Sequence, residues 1–232
     1  MKIEVLEDIY RVAERAAVFI AAEARAAVAA RGRFILAVSG GHTPWVMLRA
    51  LAGEKIPWES VHVVQVDERV APAGDPCRNL THLRESLLDH VPLRREHFYA
   101  MPVNEKDLAV AASRYALTLR KIAGSPPVLD LAHLGVGPDG HTASLVPNDP
   151  VLNVNDRDVA VTGLYQNGRR MTLTYPVLNR SRRILWLVTG KEKVEMLERL
   201  RDGDLSIPAG RVRREDALVL ADRAAAGKPG SA

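Results

Sequence analysis

The stretch Arg33-Phe34-Ile35-Leu36-Ala37-Val38-Ser39-Gly40-Gly41-His42-Thr43-Pro44 runs from apolar residues through a Ser-Gly-Gly turn into a helix-start signature. A short, unbroken apolar run closed by a turn reads as a strand buried on both faces, and such strands belong to parallel sheets. Two glycines let the backbone turn sharply. Thr43 suits the cap of a following helix and Pro44 its first position, so a helix is predicted over Pro44 to Leu51.

Outward from this unit the pattern repeats. Val61 to Val66 reads as a strand ending at Asp67-Glu68-Arg69, followed by a helix over Leu80 to Leu88 and another over Asp107 to Ile122. Leu129 to Val136 is a strand ending at Gly137-Pro138-Asp139-Gly140. Ile184 to Val188 ends at Thr189-Gly190, with a helix over Lys191 to Leu200 behind it. Ala217 to Ala221 is a late strand. Asp158 to Thr162 and Met171 to Tyr175 read as strands able to pair with each other. The expected fold is α/β, a Rossmann-like, mainly parallel sheet with helices on both faces. One domain is expected over residues 1–223, with a flexible polar tail at 224–232. Residues 147–168 are the least regular and read as a loop or flap. In such sheets ligands collect outside the carboxyl ends of the strands, and the polar sequences above all fall there.

Composition excludes several classes. The chain has 232 residues, 47% hydrophobic and 26% charged, enough to build a core without disulfides. Its one cysteine, Cys77, rules out an internal disulfide and a thiolate metal cage, and a cytoplasmic setting is expected. Residues 1–8 lack a signal-peptide pattern. The Ala-rich stretch Ala16 to Ala30 carries Glu23 and Arg25, so it reads as an amphipathic helix, not a membrane span. A net charge of +4 with 5% aromatic residues offers no stacking platform, and no nucleic-acid partner is expected. Clustered arginines, among them Arg169, Arg170, Arg180 and Arg211, fit a solvated basic face, with one or two free to attract a small anion.

Four motifs can carry chemistry. The free N–H groups at the start of the helix after Ser39-Gly40-Gly41 suit a phosphate, although a plain βα turn fits the same residues. Gly135 to Gly140 formally matches G-x-G-x-x-G, but Pro138 falls where a pyrophosphate would approach, and the match sits late in the chain. The other reading has the glycines projecting Asp139 and His141 into a cleft, where a histidine near a carboxylate can move protons. A loop histidine beside an Asx-turn remains the plain alternative. Asp67-Glu68-Arg69 fits either acid–base work or an ion pair that stabilises its loop. Gly190-Lys191 and Arg170 are cations at strand ends that a phosphate could use. The histidines show no metal-ligand spacing, and neither a metal nor any other cofactor is expected.

Taken in order, Ser39-Gly40-Gly41-His42-Thr43-Pro44, Asp67-Glu68-Arg69 with Asn79, Gly135 through Ser144, Arg170 to Thr174, Gly190-Lys191 and Pro208-Ala209 resemble the glucosamine-6-phosphate isomerase/6-phosphogluconolactonase family. The resemblance runs from about Val5 to Ala221 and is stronger to the lactonase branch. It implies hydrolysis of 6-phospho-D-glucono-1,5-lactone to 6-phospho-D-gluconate, in the oxidative branch of the pentose phosphate pathway. By resemblance His141 is the general base, assisted by Asp139. Ser39, Gly40, Gly41 and Thr43 form the phosphate cradle, Arg170 and Lys191 are its cationic partners, and Asp67 and Arg69 shape the cleft. The isomerase branch carries a glutamate shortly after that histidine, where this chain has Val146. A non-catalytic sugar-phosphate sensor on the same scaffold is a further alternative, and it would be expected to have lost the base. Arg78 stands where the lactonase pattern has serine; its role, and the choice between Arg169 and Arg170, stay open. The protein is taken as a monomer acting on a small phosphorylated sugar lactone.

Overall fold

A computed structural model describes residues 1–166 and 168–227. In chain order the elements are β1 (Lys2–Leu6), α1 (Ile9–Arg31), β2 (Phe34–Val38), α2 (His42–Ala52), β3 (Val61–Gln65), β4 (Asp67–Arg69), α3 (Asn79–Ser86), β5 (Phe98–Tyr99) and α4 (Leu108–Ala123). They continue as β6 (Leu131–Gly135), β7 (Val159–Val161), β8 (Arg170–Leu173), α5 (Tyr175–Arg180), β9 (Arg183–Val188), α6 (Val194–Asp202) and β10 (Ala217–Asp222). Seven strands form one parallel sheet in the order β1-β10-β9-β6-β2-β3-β5, and β4-β8-β7 form a small antiparallel sheet. This is the expected α/β architecture.

Side-chain alternation along the strands divides the core in two. Phe34, Leu36 and Val38 of β2 face α1, α2 and α3. Ile35 and Ala37 face a second cluster with α4, α5, α6 and the small sheet. Helix α1 lays Ala13, Ala16, Ala17, Ala21 and Ala24 on its buried face, small side chains that let it lie close to its neighbours. Its start is capped by Asp8, which accepts from the amide of Arg11 at 2.9 Å, and Gly32 at φ 73° ends it. The helix thus begins well before the alanine-rich run.

The chain departs from the sequence reading at Asp67-Glu68-Arg69. These residues form strand β4, paired antiparallel with β8, where a strand-end loop was expected. Having left the main sheet at β3, the backbone keeps its hydrogen bonds by joining a second one: the amide of Val66 still bonds Val38, while the carbonyl of Val66 receives the amide of Leu173. Strands β7 and β8 pair as expected. Of the expected loop at 147–168, the described residues are mostly anchored, with Val151, Val159 and Ala160 buried; residue 167 lies outside them. In the expected tail, residues 224–227 form turns with Ala225 buried, and 228–232 lie outside the described residues.

Candidate active site

Strand ends β2, β3, β6, β9 and β10 open into one cleft of about 580 Å³. The turn after β2 forms one wall. Helix α2 starts at His42, two residues before Pro44, with Gly41 as its cap at φ 120°. Thr43 is therefore not the cap; its hydroxyl instead bonds that of Thr189 at 2.6 Å, tying the β2 turn to the β9 turn. With no side chain capping α2, its first amides are left for a ligand. The Ser39 hydroxyl donates to the His133 carbonyl at 2.8 Å, and its amide donates to His133 Nδ1 at 3.3 Å. His133 is fully buried, and burial drives its pKa to about 3, so the ring is a neutral acceptor. A Cβ on Gly40 would lie 2.0 Å from Asn79 Oδ1, which explains the first glycine by contact rather than by turn geometry. Ser39, Gly40, Gly41 and Thr43 all line the cleft, and they offer it backbone more than side chain.

The turn after β6 carries the histidine. The Gly137 amide donates to the His141 carbonyl at 2.8 Å, and the Gly140 amide to Gly137 at 3.0 Å. A Cβ on Gly137 would lie 2.1 Å from the His141 ring, and one on Gly140, at φ 81°, would lie 2.6 Å from Ile207 Cβ. Only glycines permit a turn this tight, and it delivers His141 to the cleft wall. Asp139 Oδ1 faces both the His141 amide, at 3.2 Å, and imidazole Nδ1, at 2.5 Å. A carboxylate can only accept, so Nδ1 carries the proton and Nε2 is the basic nitrogen. Burial pushes the Asp139 carboxyl up, but the charge of His141 and hydrogen bonds from its ring, its amide and Tyr165 outweigh this and hold it below its ordinary range.

The small sheet forms the opposite wall. Arg69 and Arg170 are register partners on β4 and β8, and both line the cleft. Arg69 Nη1 donates to Asn79 Oδ1 at 2.5 Å, while Asn79 Nδ2 donates to the Asp67 carbonyl at 3.0 Å. Asp67 is buried, receives the Ser144 hydroxyl at 2.6 Å, and is pushed up by burial against the opposing effects of Ser144, Arg69 and Arg170. The carboxylates of this motif part company. Asp67 faces the cleft, whereas Glu68 points away, accepting from the amides of Arg69, Asn79 and Leu80 at 2.8 Å each. Arg78 lies buried behind the wall, 3.5 Å from Glu68, and touches no part of the cleft. Arg170 is buried and Arg169 exposed, which separates the two. Burial, then the charge of Arg69, lowers the Arg170 guanidinium.

The turn after β9 corrects one expectation. Lys191 is exposed and lies outside the cleft, and Lys193 lines it. Residues 191–193 form a 3₁₀ turn, in which positions three apart eclipse, so the third residue after Gly190 returns to its side. Burial lowers the Lys193 ammonium, with Glu192 and Asp139 opposing. Asp222, at the end of β10, receives the Gly190 amide at 3.1 Å on both oxygens. Lys193, Thr189, Asp222 and Tyr165 were not singled out from sequence. For Lys193 the three-residue offset from Gly190 was a usable signal, and for Asp222 an acid ending a strand; Tyr165, one aromatic in an irregular loop, gave none. Asn79 takes its role from the structure alone, as the bridge between Arg69 and Asp67. Among the described residues, no three His, Cys, Asp or Glu side chains group as metal ligands, and no helix is long and apolar enough to cross a membrane.

An α/β protein with a histidine-bearing, cation-lined cleft at its strand ends is the class these features define. The chain belongs to the glucosamine-6-phosphate isomerase/6-phosphogluconolactonase family, whose model matches residues 7–220. A 6-phosphogluconolactonase from Nostoc sp. is 34% identical over 232 residues, spanning 97% of this chain and 96% of its own. The crystal structure of a 6-phosphogluconolactonase from Thermotoga maritima superposes with a TM-score of 0.83 at 28% identity, covering 95% of this chain and 98% of that one. A monomeric glucosamine-6-phosphate deaminase superposes equally well, with a TM-score of 0.86 at 21% identity, 99% of this chain and 100% of that one, which speaks for the fold alone.

Proposed function

We propose that the chain hydrolyses 6-phospho-D-glucono-1,5-lactone to 6-phospho-D-gluconate. The observation that carries this is His141 in the wall of a cleft shared with Arg69, Arg170 and Lys193, its Nδ1 held 2.5 Å from Asp139, which stands behind it and outside the lining. The lactonase relatives support it, as does Val146, a buried valine where an isomerase would need an acid.

Imidazole Nε2 takes a proton from water as the oxygen attacks the lactone carbonyl. The tetrahedral intermediate collapses with cleavage of the bond to the ring oxygen, which receives that proton from the imidazolium. Asp139 stabilises the imidazolium and holds the ring. A lactone is an activated ester, so one positioned base and one water suffice. The 6-phosphate rests on the amides of the Gly40–Thr43 turn, with Arg170 and Lys193 neutralising its charge. Arg69 and Asp67 shape the sugar end. The accompanying proposal is a cytoplasmic monomer; its elution mass tests the second half.

The test is the rate of 6-phosphogluconate formation from fresh lactone above the spontaneous background. Wild type should accelerate it strongly, and His141→Ala should lose on the order of a thousandfold in kcat while retaining phosphosugar binding. A folded wild type that adds nothing to the background overturns the lactonase reading. Ammonia release from glucosamine 6-phosphate would then be measured.

A further inference from the structure

Tyr165 lies in the connection between β7 and β8, outside every motif that marks the cleft. Its hydroxyl donates to Asp139 Oδ2 at 2.9 Å. The other carboxylate oxygen, Oδ1, is already committed to the amide and ring of His141. Asp139 is a partly exposed side chain on a turn, and two contacts to one oxygen leave its plane free to swing about that oxygen. The phenol removes that freedom by engaging the second oxygen. The distance from the hydroxyl to His141 Nδ1 is 3.5 Å, too long for a firm bond, so the hydroxyl serves the carboxylate, while the Tyr165 ring meets the His141 ring edge-on with centroids 5.8 Å apart.

The same side chain has a second neighbour. The Arg170 guanidinium lies 4.9 Å over the centre of the Tyr165 ring, and its Nη2 donates to Gln166 Oε1 at 2.8 Å. The Tyr165 backbone is fixed by paired bonds with Gly168, at 2.9 and 3.2 Å. Burial, then the Asp139 carboxylate, pushes the phenol above its ordinary value, with Arg170 opposing; the group therefore stays protonated and remains a donor.

We propose that Tyr165 is a positioning residue for the reaction, whose hydroxyl locks the Asp139 carboxylate that orients His141 and whose ring seats Arg170. One side chain thereby supports the base and a substrate-binding cation together. This rests on the lactonase reading for its kinetic consequence, but its structural content is independent of turnover.

Two variants separate the two supports. Tyr165→Phe keeps the ring and loses the hydroxyl; kcat should fall about tenfold with KM within about twofold, as for one lost hydrogen bond to a charged group. Tyr165→Leu loses both, and KM should rise several-fold as well. The tautomer of His141, read by ¹⁵N NMR and assigned by its loss in His141→Asn, should be the Nδ1-protonated form in wild type and a mixture in Tyr165→Phe. A Tyr165→Phe protein with wild-type kcat and a wild-type tautomer overturns the proposal. So does a fall in kcat that comes with a lowered thermal midpoint and an unchanged tautomer. Absence of lactone turnover in wild type would sink the lactonase reading alone, since the tautomer comparison would still decide the role of Tyr165.

Discussion

The two walls of the cleft are built by opposite means. At the β2 turn the side chains are spent inward: Ser39 on His133, Thr43 on Thr189, with Gly40 pressed against Asn79. What that wall offers a ligand is mainly backbone, fixed by the parallel sheet beneath, with the exposed imidazole of His42 beside it. Across the cleft, the small sheet and its connecting loop offer side chains: Arg69, Arg170 and, behind the histidine, Tyr165. A backbone wall resists any added atom, whereas a side-chain wall responds to the chemistry of the groups removed. The lesson is that an anion site can be rigid on one side and tunable on the other.

The sharpest way to break the comparison is with one methyl group on each wall. In Gly40→Ala the new Cβ would collide with Asn79, which holds Arg69 and Asp67, so kcat/KM should fall about a hundredfold, with a loss of about 1–3 kcal/mol in stability by denaturant titration. At Gly168, in the loop of the other wall, an added Cβ meets nothing within 4 Å, and Gly168→Ala should be nearly silent in both measurements. Equal effects at the two positions would end the distinction.

The next test reaches under the backbone wall. His133 titrates near 3 when folded and near ~6.5 when unfolded, so between those values the unfolded chain holds the extra proton. Its folded pKa is depressed, so stability is full above ~6.5 and falls as pH drops below it, by about 2 kcal/mol from pH 7 to pH 5. His133→Gln cannot titrate and should lose that part of the slope in urea unfolding at the two pH values. His62, also depressed, to about 4, is present in both proteins and cancels in the difference.

The smallest effect separates two lysines. Lys193→Ala should raise KM about tenfold, whereas Lys191→Ala should change it by less than about twofold. The reverse ranking would mean that the 3₁₀ turn does not bring Lys193 to the substrate.

What could be read in advance follows the same division. Backbone features announce themselves through glycine and apolar runs, so the sheet, the Ser39–Thr43 turn and the Gly137–His141 turn were legible. Side-chain placement was legible only where a motif carried it. Asp67-Glu68-Arg69 was recognisable as a motif but not as strand β4, because three charged residues have no strand signature; their pairing comes from β8, about a hundred residues later. Edge strand β1 escaped notice because Lys2 and Glu4 break its apolar pattern. Lys191 reads as the cation of that turn because it adjoins Gly190; the three-residue offset of Lys193 gains its meaning only once residues 191–193 are seen to wind as a 3₁₀ turn. The sequence leaves Arg78 open between a substrate contact and a surface charge, and only packing reveals that it backs Glu68.

One pairing bears on how the protein is made. The first strand, Lys2–Leu6, lies beside the last, Ala217–Asp222, and among the described residues no other strand covers its far edge. While the ribosome is still adding the C-terminal portion, the nascent chain carries β1 with no partner, and the Gly190 amide waits for the Asp222 carboxylate. The sheet and the cleft are therefore completed by the same late event, so a chain released before Asp222 would be unfinished in structure and in chemistry at once.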